Sequence, residues 1–409
     1  MFGKKIDPKT IPEVNIGMFG HVDHGKTTLT EAITGKMTDT HSEEIRRGIS
    51  IRLGYADVSF YKCKKCDSYS TSKKCPKCFG DAEIQRTVSF VDTPGHESLM
   101  AVVLTGSSLI DGALLLIAAN EKCPSPQTRE HLTALEVVGI KNIIIVQNKV
   151  DLVKEERVKE SYKEIKDFVK GTIAEEAPII PISAMQRVNI DYVIEAIENN
   201  IPTPKRDLKK DPRMYVARSF DVNKPGSTID KLVGGVMGGS IIEGELKKGQ
   251  EIELRPGIRT QEGWKSVKTK ILSMEKGGKK LDKAGAGGLL GIMTSLDPAL
   301  TKADGLVGNV VGLPDKLPES RSKIKLEIDL LERVVGAKEK MEVENIKLNE
   351  PLMINIGTGR SVGIVTKLGD NNIELTLKLP ICAEKGERIV ISRQIRGRWR
   401  LIGHGILKE

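Results

Sequence analysis

"GHVDHGKT", residues 20–27, decides how the first half of this 409-residue chain is read. It fits G-x-x-x-x-G-K-[ST]. It stands between an apolar run, "VNIGMF" at 14–19, and a helical pattern, "TTLTEAITG" at 27–35. Strand, glycine loop and helix in that order form the context in which the motif cradles phosphates. Gly20 and Gly25 let the backbone bend so that its N–H groups face the phosphates. Lys26 places a cation on the terminal phosphates, and Thr27 offers a hydroxyl to Mg²⁺. The expected nucleotide contacts in this loop are Asp23, His24, Gly25, Lys26, Thr27 and Thr28.

Three shorter motifs follow in order. "DTPG", 92–95, ends the strand-like run "TVSFVD". Asp92 at a strand's C-terminal edge can hold Mg²⁺, usually through water, and Gly95 can turn its N–H to a γ-phosphate. The tetrapeptide alone could be a plain turn; behind a phosphate loop it reads as a phosphate sensor. "NKVD", 148–151, ends the run "NIIIVQN". The Asp151 carboxylate can accept from guanine N1–H and the 2-amino group, where adenine presents neither donor. A site built on such pairs rejects a base lacking them by roughly 10⁴-fold or more. Asn148 can brace the loop, and the Lys149 stem can lie along the base. "SAM" (Ser183, Ala184 and Met185) closes the base pocket, with backbone N–H groups near guanine O6. Each motif is weak alone; four in order at strand ends specify GTP.

The surroundings agree. "GALLLIAA" and "APIIPIS" are further apolar runs, and "PQTREHLTALEVVG" and "EERVKESYKEIKDFVKG" are amphipathic helices between such runs. Apolar strands alternating with helices predict a parallel sheet covered on both faces. "IPTPKRDLKKDP", 201–212, reads as a linker, and beyond it the helical period vanishes. "KLVGGVMGGSIIEGELKKGQEIELRPG" is short β segments broken by glycine, which suits a compact barrel. "GLPDKLPESRS" is a second break, followed by more short strands. The expected architecture is an α/β P-loop GTPase domain followed by two β-barrel domains. The boundaries expected are 1–207, 208–320 and 321–409, with an insert at 61–80 in the first.

That insert, "CKKCDSYSTSKKCPKC" at 63–78, carries four of the six cysteines. Cys63 and Cys66, then Cys75 and Cys78, are paired Cys-x-x-Cys units able to place four thiolates around Zn²⁺. The segment is polar and has little apolar surface to hold it folded, so a metal could supply that energy. A metal-free knuckle, with or without disulfides, is the competing reading. Four cysteines leave no open coordination position, so the site reads as structural. Its place is the hairpin joining two sheet strands. Cys123 and Cys382 read as ordinary buried residues.

The formal net charge of +9 suits either an acidic partner or a lysine-rich solvated surface. The opening "MFGKKIDPKTIPE" has no apolar run of a secretory leader, and no stretch reaches the roughly 18 apolar residues that span a bilayer. The expectation is a soluble cytosolic protein with no membrane partner.

The order of motifs resembles the translational GTPases, the family of elongation factor Tu. "GHVDHGKTT", "DTPGH" and the glycine-broken stretch near 234–257 are similar to theirs. Within that family the chain resembles the γ subunits of translation initiation factor 2 in their short archaeal-type form. The stretches that carry this are "HSEEIRRGISIRLGYAD", the cysteine insert, "SFDVNKPGSTIDKLVGGVMGGSI" and "GRWRLIGHGI". The resemblance implies that Ser50 stands where a switch threonine binds Mg²⁺, keeping the hydroxyl and losing a methyl. It implies that His96 positions the attacking water, shielded by the apolar pair Val22 and Ile49. It implies further that Asp23 and Gly48 lie near the Mg²⁺. No arginine finger is found by position, so slow intrinsic hydrolysis stimulated by a partner or the ribosome is the expectation.

The implied partners are methionylated initiator tRNA, the α and β subunits of a heterotrimer, and the small ribosomal subunit. Arg396, Arg398 and Arg400 would share one face of a strand, as a tRNA backbone contact or a solvated face. Two other readings compete. One is an elongation factor for ordinary or selenocysteinyl tRNA; the cysteine insert and the lack of a long C-terminal extension weigh against it. The other is a zinc-dependent nucleic-acid module with a vestigial nucleotide site; intact Lys26, Thr27, Asp92, Asn148 and Asp151 weigh against it.

Overall fold

The chain is taken from a computed structural model, which describes residues 6–37, 53–95, 100–224, 226, 228, 232–334 and 341–408. It divides into two compact units, 1–204 and 205–409.

The first unit is built on seven strands: β1 (Pro12–Gly20), β2 (Gly54–Cys63), β3 (Tyr69–Ser70), β4 (Ala82–Asp92), β5 (Gly112–Ala118), β6 (Ile143–Asn148) and β7 (Ile179–Pro181). They lie in the order β3-β2-β4-β1-β5-β6-β7. From β4 to β7 the pairing is parallel, but β2 runs antiparallel to β4 and β3 antiparallel to β2. The expected parallel sheet runs from β4 to β7, and the sheet becomes mixed at its β2 edge, where the cysteine insert lies on the hairpin expected between two sheet strands. The physical reason is the connection: the cysteine insert turns the chain back beside β2 as a hairpin instead of crossing over the sheet, which makes β2 and β4 antiparallel neighbours.

Among the described residues, five α-helices accompany these strands: α1 (Lys26–Thr34), α2 (Met100–Ser107), α3 (Pro126–Val138), α4 (Glu155–Val169) and α5 (Ile190–Asn200). Their ends follow local chemistry. Pro126 occupies the first turn of α3, and Gly139 ends it at φ 90° with its N–H on the Leu135 carbonyl. On α4 the buried residues are Ser161, Ile165 and Val169, four apart on one stripe. Alternate residues of β1 (Val14, Ile16, Met18) and β5 (Leu114, Leu116) join Leu29 and Ile33 of α1 and Val193 and Ile197 of α5 in one buried cluster. This packing lays the C-terminal ends of β4, β1 and, one strand beyond β5, β6 along the same edge, where the motif loops begin.

The second unit holds two closed barrels. Its strands are β8 (Arg213–Phe220), β9 (Val236–Glu243), β10 (Glu245–Lys247), β11 (Glu251–Thr260), β12 (Gly263–Lys276), β13 (Lys279–Leu281), β14 (Lys283–Gly285), β15 (Leu290–Thr294) and β16 (Val310–Gly312). The order β11-β16-β8-β9-β15-β12 closes on itself through a β11–β12 pairing, with β13 added to β12 and β10 paired with β14 as a separate ribbon. Two glycines of "GGVMGGS" are required by close backbone approach: a Cβ on Gly234 would fall on the Thr294 carbonyl, and one on Gly239 on the Tyr215 carbonyl.

The last barrel comprises β17 (Ser320–Leu330), β18 (Pro351–Ile356), β19 (Gly359–Leu368), β20 (Asn372–Cys382), β21 (Arg388–Ile395) and β22 (Arg398–Leu407), closed in the order β17-β20-β19-β18-β21-β22. Leu326, Ile354, Val365, Leu375, Ile389 and Ile402 fill it. Strands expected to be short run to 14 residues in β12 and 11 in β20, because the glycines mark turns and close contacts more often than strand ends. Arg396 and Gly397 form the β21–β22 turn at φ 49° and 78°. Only Arg398 and Arg400 lie on the strand, and they share its face with Arg393 across the pair.

Candidate nucleotide site and cysteine knuckle

The phosphate loop leaves β1 at Gly20 (φ 137°) and enters α1 at Gly25 (φ 89°), two backbone conformations that L side chains resist. Between them Asp23 also holds a left-handed conformation, at φ 63°. Lys26 is buried, and its ammonium donates to the Gly20 carbonyl at 3.0 Å and the His21 carbonyl at 2.7 Å, so it sits at the centre of the loop. The N-terminus of α1 adds partial positive charge to the same concavity.

The "DTPG" stretch meets this loop in space. Thr27 Oγ1 donates to Asp92 Oδ2 at 2.8 Å. Gly95 lies so close to the loop that a Cβ there would fall on Lys26 Nζ and lie 2.8 Å from the Val22 amide nitrogen. A hydroxyl and a buried carboxylate side by side form a donor set that fits Mg²⁺, a hard cation that favours oxygen. Gly48, Ile49, Ser50 and His96 lie outside the described residues.

The base-side motifs converge on Asn148, at the end of β6. Its Nδ2 donates to the His24 carbonyl at 2.9 Å, and its Oδ1 accepts the Ala184 N–H at 3.0 Å. One side chain thus ties the phosphate loop to the "SAM" loop. Lys149 follows at φ 64°, and Asp151 is exposed at the start of the next turn. Ser183 and Val188 exchange backbone hydrogen bonds at 3.3 and 2.9 Å, and Met185 projects outward at 74% exposure.

Three histidines behind the loop were missed or differently read from the sequence. His131 of α3 is fully buried, and its Nδ1 accepts the Gly20 N–H at 2.8 Å. Burial holds its pKa down at about 3, so the ring is neutral with Nδ1 free to accept. The His24 side chain turns inward, donating from Nδ1 to the Leu116 carbonyl at 3.0 Å with Nε2 3.2 Å from Glu121. It reaches the nucleotide side only through its backbone. Burial lowers the pKa of His24, and likewise that of His21, which packs edge-on against it at 5.2 Å. No local pattern announces His131: it lies 111 residues from the glycine it holds.

The knuckle consists of two matched loops. Asp67 N–H bonds to the Cys63 carbonyl at 3.2 Å and Phe79 N–H to the Cys75 carbonyl at 2.9 Å. Asp67 and Phe79 both take φ 57°. All six cysteines of the chain are free thiols. The sulfurs of Cys63, Cys66, Cys75 and Cys78 lie within 4.8 Å of one another, with Cys63–Cys78 at 3.4 Å and Cys66–Cys75 at 3.5 Å. A tetrahedral zinc tetrathiolate places its sulfurs about 3.8 Å apart, so these four fit the ion and could hold it. The Ser68 hydroxyl lowers the pKa of Cys75 to about 6. A backbone bond from Gly80 lowers that of Cys78, but the neighbouring thiols Cys63 and Cys66 outweigh it and push it up to about 12. A central cation would let all four ionise together. Cys123 and Cys382 are buried, and burial pushes each thiol up to about 12.

A phosphate loop, a sensor strand and a base loop on this mixed sheet, with two barrels in the chain, define a translational GTPase, an enzyme that hydrolyses GTP. Residues 12–203 match the elongation factor Tu GTP binding domain, 234–311 match elongation factor Tu domain 2, and 322–407 match the C-terminal domain of initiation factor eIF2 gamma. The chain belongs to the family of translation initiation factor 2 γ subunits. It is 59% identical over 401 residues to translation initiation factor 2 subunit gamma of Pyrococcus furiosus, covering 97% of this chain and 98% of that protein. The protein of the same name from Methanocaldococcus jannaschii is 59% identical over 400 residues, with 97% of each covered. Among solved structures, a bacterial selenocysteine-specific elongation factor EF-Sec matches with a TM-score of 0.75 at 24% identity, over 97% of this chain and 58% of that one. Elongation factor SelB from Methanococcus maripaludis, bound to a GTP analogue, matches with a TM-score of 0.72 at 23% identity, over 99% and 80%. These two share the fold. Among the described residues no helix is long and apolar enough to cross a membrane.

Proposed function

We propose that this chain, in its GTP state, binds methionyl initiator tRNA, delivers it to the small ribosomal subunit in the cytoplasm, and releases it when GTP is hydrolysed. The observation that carries the reading is the Thr27–Asp92 hydrogen bond, which joins phosphate loop to sensor strand where a γ-phosphate would be read. Relatedness to initiation γ subunits along nearly the whole chain supports the choice of tRNA. The α and β subunits of a heterotrimer are the further partners, and the net charge of +9 favours tRNA phosphates.

In this reading Asp23, His24, Gly25, Lys26, Thr27, Thr28 and Gly95 hold the phosphates. Asn148, Lys149, Asp151, Ser183, Ala184 and Met185 hold guanine. Thr27 and Asp92, with Asp23, Gly48 and Ser50, hold Mg²⁺, which when bound neutralises charge on the β- and γ-phosphates. His96 orients water, shielded by Val22 and Ile49. The division at 1–207, 208–320 and 321–409 belongs to the same proposal, as does slow hydrolysis without a partner; several turnovers per second by the isolated chain would overturn the latter.

The deciding experiment measures binding of labelled methionyl initiator tRNA and an elongator aminoacyl-tRNA, each with a non-hydrolysable GTP analogue and with GDP. Preference for the initiator that depends on the GTP analogue is expected; equal binding of the two tRNAs would overturn it. For the base site, Asp151→Asn is expected to move preference from guanine toward xanthine nucleotides.

A further inference from the structure

The knuckle does not stand apart from the nucleotide site. Lys77 lies between the ligand-bearing Cys75 and Cys78. Its Nζ is 2.5 Å from Asp191 Oδ2 and 5.3 Å from the centre of the Tyr192 ring. Both partners are in the first turn of α5, 114 residues from Lys77 in the case of Asp191. Tyr69 of β3 packs against the same core cluster as Ile190, the first residue of α5. The knuckle thus reaches the start of α5 by a charge and a ring, and the two share one apolar cluster.

What precedes α5 is the base loop. Asn189 caps the helix at φ 62°, and its Nδ2 donates to the Pro181 carbonyl at 2.8 Å. Ser183 and Val188 are paired to each other, and Ala184 is tied to Asn148. Residues 181–192 therefore form a short, internally bonded run whose one end meets Asn148 and whose other end meets Lys77.

We propose that the knuckle is a brace for the guanine-side loop, acting through Lys77 and Asp191 as positioning residues, so that metal in the knuckle prolongs nucleotide residence. The inference rests on the base-site reading given under Proposed function. Without metal, the polar segment 63–78 has little to fix the backbone on either side of Lys77, and the contact to α5 becomes one arrangement among many. An exposed ion pair adds little to global stability. Its effect here is local: it restricts the first turn of α5 and, through it, the loop that closes on the base.

The test uses the full chain loaded with zinc and the same chain after chelation, both returned to the same excess of Mg²⁺, with zinc content measured directly. Dissociation of a fluorescent GDP and of a fluorescent non-hydrolysable GTP analogue is followed in the native chain, Lys77→Ala, Asp191→Asn and the double variant. Zinc removal is expected to speed release of both nucleotides about three- to tenfold in the native chain, a coupling at the lower end of those seen between linked sites. The single variants should show that faster release with zinc present, respond little to chelation, and not add in the double variant. A merely structural role would lower melting temperature without this loss of response. Unchanged release on chelation overturns the proposal, as does an equal response of Lys77→Ala and native chain. Asp151→Asn run alongside separates the two failures: if it leaves guanine preference unchanged, the base-site reading falls. If it shifts preference while the Lys77 and Asp191 variants release GDP at the native rate, only the brace falls.

Discussion

The Nδ1 atom of His131, on α3, accepts the backbone N–H of Gly20 at the root of the phosphate loop, 2.8 Å away. Replacing His131 by Phe would fill the space and leave that buried N–H without an acceptor, which costs about 1–3 kcal/mol. The expected outcome is a lower melting temperature together with weaker GDP binding, and His131→Gln, which keeps an acceptor, should recover part of both. Equilibrium titration with fluorescent GDP beside thermal melts would check this.

The same residue makes stability pH-dependent. Its folded pKa is about 3 and its ordinary value 6.5, so between these the unfolded chain binds the proton and the folded chain does not. Stability therefore rises with pH through that window and is lost as pH falls through it. The difference corresponds to about 4–5 kcal/mol for a fully buried ring. Denaturant melts between pH 4 and 6 should show a slope about one proton steeper in the native chain than in His131→Gln; identical slopes would remove His131 from the account.

Thr27 and Asp92 share a hydrogen bond at 2.8 Å beside Lys26. Thr27→Ala is expected to weaken the Mg²⁺-dependent part of nucleotide affinity about 10- to 100-fold, as loss of metal-site partners commonly does. Affinity measured in excess chelator should barely change. A uniform loss with and without Mg²⁺ would place Thr27 on structure alone.

Asn148 makes two bonds, to the His24 carbonyl and to the Ala184 N–H. Asn148→Ala leaves a carbonyl and an N–H without it, at about 1–3 kcal/mol each. Asn148→Asp faces a carboxylate toward the His24 carbonyl and should be worse. Faster release of guanine nucleotides in both variants is expected, read by stopped-flow fluorescence.

Arg213 of β8 donates to Glu387 at 2.7 Å and lies 3.2 Å from Glu384, joining the two barrels of the second unit. The Arg213 and Glu387 side chains are 13% and 17% exposed, and burial already raises the Glu387 pKa. Arg213→Ala strands that carboxyl and should cost about 3–5 kcal/mol. Replacing both residues by apolar ones should cost less, which a double-mutant cycle on thermal unfolding would show.

The sequence by itself determined the chemistry of the loops. "GHVDHGKT", "DTPG", "NKVD" and the paired Cys-x-x-Cys units are legible because each depends on residue types a few positions apart and on glycines where the backbone must turn or approach closely. The strands of the parallel core were legible as apolar runs, and the barrels as glycine-broken β segments. The hairpin that carries the cysteine insert was legible too, but only the tertiary structure decided which sheet edge it occupies, that His131 holds Gly20, that Asn148 joins the phosphate and base loops, and that Lys77 meets Asp191. Those partners are 111, 124 and 114 residues apart for the last three. The reason is physical. A motif's geometry is set by local dihedrals and spacing, whereas a contact across a hundred residues exists only once the sheet has fixed where each helix begins, and no short window of sequence carries that position.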